Sequence, residues 1–124
     1  MTVSQSPQSR VFKTAWFAKA AGKRGITDPA LCKAMHEVME GKADFLGSGV
    51  WKKRVNDNMD RIIVAAKGGK NWFFVFLFMK KERENITRAE EAAFKKLASS
   101  YALLTPAAIS TLLMSNELVE ICHE

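Results

Sequence analysis

The sequence predicts an α+β domain in which helices pack against an antiparallel β-sheet. Three β-prone segments follow one another in the middle of the chain, at residues 50–55, 61–67 and 71–79. The polar links between them, 56–60 and 68–70, are too short for a parallel crossover, so neighbouring strands must be antiparallel. Helical periodicity on both sides of this meander predicts the helices that cover the sheet.

The N-terminal part predicts a tail, a strand and a short helix. Residues 1–9 are rich in Ser, Gln and Pro, which favours a disordered tail ahead of a single domain over 10–124. Residues 11–17 are aromatic and β-branched and predict a first strand. This strand runs into a short helix over 16–21, which Gly22 ends.

A second helix is predicted to begin at Asp28-Pro29, because Asp28 can cap it and Pro29 suits the first turn. Apolar residues then recur at helical spacing as far as Met39. Residues 44–49 are predicted to form a loop that leads into the sheet. The segment 71–79 is almost continuously apolar, which indicates a central strand covered on both faces.

The C-terminal part predicts two more helices. Thr87 and Glu90 have the spacing of a capping box, and an apolar stripe follows them. Thr105-Pro106 starts a further short helix. Residues 117–122 are either a final short strand or a loose tail.

Composition narrows the setting in which the protein works. The formal net charge is +6 and the sequence pI is about 9.5, which suits a nucleic acid, an anionic surface or an acidic partner, although solubility alone also explains such a charge. Two cysteines are too few for a disulfide framework, so a reducing compartment, the cytoplasm, is the natural inference. The longest apolar run, 72–79, is too short to cross a bilayer.

Several standard sites are missing from the sequence. Neither a GxxxxGK[ST] loop nor a GxGxxG motif occurs, so a nucleotide cofactor is not expected. His36 and His123 lack companions at metal-ligand spacing, so no metal is expected either. The strands offer no pair of carboxylates for acid–base work.

Cations gather at the ends of the predicted strands: Lys52, Arg54, Arg61, Lys80, Lys81 and Arg83. Lys52 and Arg54 are two residues apart and project from the same sheet face. We expect side chains from separate strands to converge on one concave patch. The alternatives are a solvated strand face, local ion pairs of Arg61 with Asp57 or Asp60, and a solvent-exposed run in which Lys and Arg alternate with Glu.

Such a patch can cleave RNA without a metal ion. The 2′-OH attacks the adjacent phosphate if a base removes its proton and if cations stabilise the developing charge. A Lys crowded by other cations can act as the base, because like charges lower its pKa. A surface that only binds a polyanion would have a similar pattern.

Six segments together resemble the RelE/HigB-type toxins of bacterial toxin–antitoxin modules, from about Val11 to Ile121. They are VFKTAWFAKAA, LCKAM, LGSGVWKKRV, DRIIVA, FFVFLFMKKERENI and LASSYALLTPAAISTLL. The resemblance implies the RelE/ParE fold, a twisted antiparallel sheet with two N-terminal helices and a C-terminal helical part. It also implies a ribosome-dependent endoribonuclease, or mRNA interferase, that blocks translation.

The resemblance also implies site residues and partners. Lys52 or Arg54 would bind phosphate or assist proton transfer, and Arg61 and Lys81 would stabilise the pentavalent phosphate. Arg83 would anchor the RNA backbone, and we expect Lys53 and Lys80, which neighbour the family's positions in sequence, to bind RNA as well. A cognate antitoxin with a helix-turn-helix would neutralise the toxin, and the complex of the two would bind operator DNA.

Two positions depart from the family pattern, and both predict a slower or absent reaction. RelE carries a tyrosine shortly after its basic run, where this chain has Ile86, and Asp60 replaces a tyrosine in a shortened loop before Arg61. The alternative function is a non-catalytic module of the same fold. Such a module would inhibit a protein target such as DNA gyrase, or act as a DNA-binding co-repressor with its antitoxin.

Overall fold

The computed structural model describes residues 9–55 and 61–123. The predicted tail over 1–9, apart from Ser9, and the predicted link over 56–60 therefore lie outside the described residues. The strands are β1 (Val11–Thr14), β2 (Asp44–Gly47), β3 (Val50–Arg54), β4 (Arg61–Gly68), β5 (Asn71–Met79) and β6 (Leu118–Ile121). The helices are α1 (Ala15–Lys23), α2 (Asp28–Met39), α3 (Arg88–Ala102) and α4 (Pro106–Met114).

The six strands form one mixed sheet in the order β2-β3-β4-β5-β1-β6. The antiparallel pairing of β3 with β4 and of β4 with β5 confirms the predicted meander. The sheet is not wholly antiparallel, because β1 lies parallel to β5 and places Val11 beside Trp72. Strand β6 pairs with the other side of β1 and forms the edge of the sheet. Of the two alternatives predicted for residues 117–122, a final strand and a loose tail, the strand is therefore correct.

The predicted loop over 44–49 is wrong in part, because residues 44–47 form the edge strand β2. Residues 47–49 all have positive φ, and this tight turn lets β2 pair back onto β3. The rings of Phe45 and Trp51 then meet across the two strands, with centroids 4.6 Å apart. An aromatic cross-strand pair of this kind stabilises β2, an edge strand that the composition of residues 44–47 does not predict.

The two faces of the sheet are covered by different helices. Buried side chains of α1 and α2, such as Phe17 and Met35, pack with Ile63 and Phe74 on the face that we call the α1–α2 face. Helices α3 and α4 cover the opposite face, the α3–α4 face, where Ala98 lies in the same apolar cluster as Phe12, Val64 and Phe73. Strand β5 is therefore central and covered on both sides, as predicted.

A threonine precedes every helix of the described structure and caps it with its side-chain oxygen: Thr14, Thr27, Thr87 and Thr105. The capping box of Thr87 and Glu90 is confirmed. The prediction that Asp28 caps α2 is wrong by one residue, because the Thr27 hydroxyl accepts the Ala30 N–H and Asp28 is the first helical residue. Gly22 does not stop α1, which continues to Lys23.

Cys32 of α2 and Cys122, just after β6, are joined by a disulfide. The sequence predicted no disulfide, and this bond removes the ground on which the two cysteines indicated a reducing compartment. Their Cα atoms are 5.5 Å apart, within the usual range for a disulfide. In the part of the chain that the structure describes, no single helix has both the length and the apolar character to span a membrane. Helices α3 and α4 reach that length only together, and their axes are bent by 116°.

Candidate functional site

A cleft of about 270 Å³ lies at the end of the sheet where β3 and β5 finish and β4 begins. It is lined by Asp44, Lys52, Arg54, Ile62, Phe78, Lys80 and Glu84. Strand pairing explains its cations, because Arg54 lies opposite Ile62, which lies opposite Phe78. Lys52 precedes Arg54 by two residues and therefore shares its face. The predicted convergence holds for Lys52, Arg54 and Lys80.

The side chain of Lys52 is oriented by the chain segment that follows β5. Its Nζ donates a hydrogen bond to Oδ1 of Asn85 at 3.2 Å. The same oxygen accepts the backbone N–H of Ile86 at 2.8 Å, which holds the amide in place. The ammonium group of Lys52 is therefore positioned toward the cleft by a residue that the sequence analysis did not single out.

Arg61 lies at the same end of the sheet but on the other face. Its backbone pairs with Met79, and it alternates with Ile62, which lines the cleft. Arg61 is not among the residues that line the cleft, so the structure does not bring it into the expected patch with Lys52 and Arg54. The physical reason is register: Arg54 lies opposite Ile62, and successive side chains point to opposite faces. The alternative pairing of Arg61 with Asp57 or Asp60 involves residues outside the described chain.

Lys53 also points away from the cleft and packs against α2. Its Nζ lies 3.0 Å from Glu37 Oε1 and donates to the carbonyl of Lys42 at 3.0 Å. The side chain is only 14% exposed. The hydrogen bond from Lys53 lowers the pKa of the Glu37 carboxyl below its usual range. These contacts make Lys53 a link between the sheet and a helix.

Arg83 is held by the N-terminus of α3. Its guanidinium forms a bidentate ion pair with the carboxylate of Glu90 and lies 5.7 Å from the ring centroids of Phe76 and Phe78. The hydrogen bond from Arg83 is the main reason that the pKa of Glu90 lies below its usual range, with the Thr87 backbone N–H adding to it. Arg83 thus ties the segment after β5 to the helix cap.

Lys80 and Lys81 project from the turn after β5, and both are exposed. Among the described residues, neither side chain makes a hydrogen bond or an ion pair. Lys80 lines the cleft, whereas Lys81 does not. The alternative that these lysines belong to a solvent-exposed run without a binding role therefore fits Lys81 better than Lys80.

Two carboxylates in the cleft were missed by sequence reasoning. Asp44 lies opposite Lys52 across the β2–β3 pair, and Glu84 enters the cleft from the segment after β5. Asp44 was missed because its segment was predicted to be a loop. Glu84 was assigned to a solvent-exposed run. Carboxylates are among the side chains that act as general acids or bases in enzymes, so both residues are candidates for such a role in this cleft.

No tyrosine lines this cleft, because Tyr101, the single tyrosine of the chain, is half-buried against the core of the α3–α4 face. Its ring stacks on Phe73 with centroids 3.9 Å apart. Burial raises the pKa of its hydroxyl to about 12. Within residues 9–55 and 61–123, no three His, Cys, Asp or Glu side chains form a group that could hold a metal ion.

One comparison with known proteins bears on this arrangement. A family model described as the RelE toxin of the RelE/RelB toxin–antitoxin system matches residues 9–121. A search of curated proteins and a search of solved structures each found no match. The matched range includes every strand and every helix of the structure.

Proposed function

The chain belongs to the RelE toxin family of toxin–antitoxin systems, and from that premise we propose that it is a ribosome-dependent, metal-independent mRNA endoribonuclease. Family membership implies a cognate antitoxin as partner. The observation that carries the proposal is the cleft in which Lys52, Arg54 and Lys80 meet two carboxylates. Cations at this density suit the charge that develops on a phosphate during cleavage.

The reaction is an internal transfer at one phosphate of the mRNA. The 2′-oxygen forms a bond to phosphorus, the bond from phosphorus to the 5′-oxygen breaks, and a 2′,3′-cyclic phosphate and a 5′-hydroxyl result. A base takes the proton of the 2′-OH, and an acid supplies one to the leaving 5′-oxygen. We assign phosphate binding or proton transfer to Lys52 and Arg54, and charge stabilisation to Lys80. Asp44 and Glu84 are the carboxylate candidates for the base.

The remaining predicted residues have less direct access to this phosphate. Arg61 and Lys81 can stabilise the pentavalent phosphate only if the RNA passes around the end of the sheet. Lys53 and Arg83 must leave Glu37 and Glu90 before they bind RNA. The proposal therefore gives Lys53 and Arg83 the smaller share of substrate binding.

Primer extension on a reporter mRNA tests the activity during induction of the protein in a bacterial host. The parent should produce cuts in phase with codons. Lys52→Ala and Lys80→Ala should reduce the cutting rate by about 10²-fold or more, the usual effect of removing one group that stabilises a developing charge. Lys96→Ala removes the same charge from the exposed surface of α3 and should cut like the parent.

Other outcomes would overturn the proposal. An SOS response without any mRNA cuts would favour inhibition of gyrase over cleavage. Cutting that is unchanged in both cleft variants would show that the site lies elsewhere. Cuts on free mRNA without ribosomes would remove the ribosome dependence.

We also propose that the cognate antitoxin neutralises this activity and that the toxin–antitoxin complex binds its own operator in the cytoplasm. The adjacent reading frame is the natural candidate, and a helix-turn-helix is expected in it. Its co-expression should restore growth, and the purified complex should shift operator DNA on a gel. Continued growth arrest in the presence of that protein would contradict the assignment.

A further inference from the structure

A second cationic hollow lies beside the end of β5, apart from the cleft. Its volume is about 330 Å³, and it is lined by Trp16, Lys19, Ala20, Lys23, Arg24 and Leu77. All of these residues except Leu77 belong to α1 or directly follow it. We call this site the α1 hollow. None of its cations was among the residues assigned to the reaction.

The wall of the α1 hollow contains an exposed aromatic ring that is held in place. The side chain of Trp16 is 51% exposed although it is one of the largest apolar groups in the chain. One face of its ring stacks on Phe76, with centroids 4.9 Å apart and planes 17° from parallel. Phe76 in turn packs on Phe94, with centroids 5.4 Å apart. The indole is therefore braced from behind and has surface left for a flat ligand.

The charged residues that line the α1 hollow are all positive. Trp16, Lys19 and Lys23 are three and four residues apart and lie along one side of α1. The segment 11–25 carries four cations and no acidic residue. Arg24 Nη2 forms an ion pair with Glu82 Oε1 at 3.0 Å, and both side chains are largely exposed. An exposed pair of this kind contributes little stability, so a phosphate can replace the carboxylate at small cost.

The α1 hollow and the cleft share one short piece of chain, the turn over residues 80–84. Lys80 and Glu84 line the cleft, whereas Glu82, between them in sequence, contacts Arg24 at the edge of the hollow. Leu77 of the hollow and Phe78 of the cleft are successive residues of β5 and point to opposite faces, so a strand of RNA would reach both sites by passing around this turn. We propose that the α1 hollow binds an unpaired nucleotide of RNA, with the base stacked on Trp16 and the flanking phosphates on Lys19, Lys23 and Arg24.

The combination of groups favours RNA over an acidic protein segment. The carboxylates of an acidic protein segment would form ion pairs with the cations but would offer no flat ring to stack on the exposed indole of Trp16. A nucleotide uses both, because every base has a flat π-face and every linkage carries a negative charge. This inference deepens the proposed function and rests on it only for the identity of the RNA as a substrate.

Binding of an uncleavable RNA tests the α1 hollow separately from catalysis. The probe is a fluorescein-labelled 12-nucleotide 2′-O-methyl RNA, followed by fluorescence anisotropy with the full chain at several salt concentrations. Trp16→Ala should weaken binding by about fivefold or more, which is the usual loss of one stacked base. Lys19→Ala with Lys23→Ala should flatten the slope of log affinity against log salt by about 1.4.

A matched control removes the same charge from elsewhere on the surface. Lys33→Ala with Lys96→Ala, on α2 and α3, should leave the salt slope within a few tenths of the parent value, because both lysines are exposed on other elements. Unlabelled RNA should also quench tryptophan emission of the parent, and Trp16→Phe should reduce the quenching. Trp72 is almost completely buried. Trp51 is half-buried against Phe45 and Trp72, so any quenching that remains in Trp16→Phe is assigned to Trp51.

The outcomes separate this inference from the proposed function. Equal binding by the parent, the Trp16→Ala variant and the double lysine variant would overturn the α1 hollow, even if mRNA is still cut in cells. Trp16-dependent quenching without any cutting would overturn the endoribonuclease and leave the hollow standing. Poly-glutamate that displaces the RNA at equal charge, together with unchanged binding by Trp16→Ala, would assign the hollow to an acidic protein.

Discussion

Loss of the bond between Cys32 and Cys122 should remove much of the stability of the fold. The two cysteines are 90 residues apart in sequence, so the bond closes most of the chain into one loop. The chain-entropy relation gives about 4–5 kcal/mol for a loop of this length, and natural disulfides typically contribute about 2–4 kcal/mol. A small domain has only about 5–15 kcal/mol of net stability. We therefore expect reduction to lower the free energy of unfolding by about 2–4 kcal/mol.

Urea unfolding with and without dithiothreitol measures this effect. With a urea m-value of about 2 kcal/mol/M, the midpoint should fall by about 1–2 M on reduction. The double variant Cys32→Ser with Cys122→Ser should unfold near the reduced parent and should not respond to dithiothreitol. Equal midpoints for the oxidised and reduced parent, or free thiols on alkylation of the unreduced protein, would refute the argument.

Three further predictions concern the packing and the charges around α3. Gly68→Ala should lower the free energy of unfolding by about 1–3 kcal/mol, because the added Cβ would lie 2.5 Å from the Cβ of Tyr101. Gly22→Ala is the matched control in α1, because a Cβ at this position has nothing within 4 Å. In the same urea assay this control should raise the free energy of unfolding by up to about 1 kcal/mol. Burial raises the pKa of Tyr101 from 10.0 to about 12. The stability that its burial contributes is therefore complete below pH 10 and is lost as the pH rises toward 12. The urea midpoint of the parent should fall between about pH 9 and about pH 11.5 for this reason, and Tyr101→Phe should lack this fall. The hydrogen bond from Arg83 lowers the pKa of Glu90. The pair therefore stabilises the fold above about pH 4.5 and loses its effect as the pH falls below that value. A thermal midpoint of Glu90→Gln that falls as steeply on acidification as that of the parent would contradict this.

The local features of the fold could be predicted from the sequence because short-range chemistry determines them. Thr87 and Glu90 are three residues apart, and that spacing alone forms a capping box. The short links 56–60 and 68–70 leave only antiparallel neighbours for the central strands. The nearly continuous apolar run of β5 indicates a strand covered on both faces.

The candidate site could be predicted only in part. Alternation along one strand places Lys52 and Arg54 on one face, and this part needs no partner strand. Whether Arg61 joins them depends on the register between β3 and β4, which backbone pairing and packing decide after the chain has folded. The carboxylate of Asp44 enters the cleft only because β2 pairs with β3, an outcome that the composition of its segment does not specify.

The sequence by itself determined the four helices, the antiparallel meander and the clustering of cations near its strand ends, but not the short strands β2 and β6. Tertiary structure alone decided that β1 lies between β5 and β6, that Cys32 meets Cys122, and that Trp16 is braced on Phe76. The reason is distance along the chain. Caps and strand alternation depend on residues a few positions apart, whereas these contacts join segments about 60 to 110 residues apart, and only packing of the whole core brings such segments together.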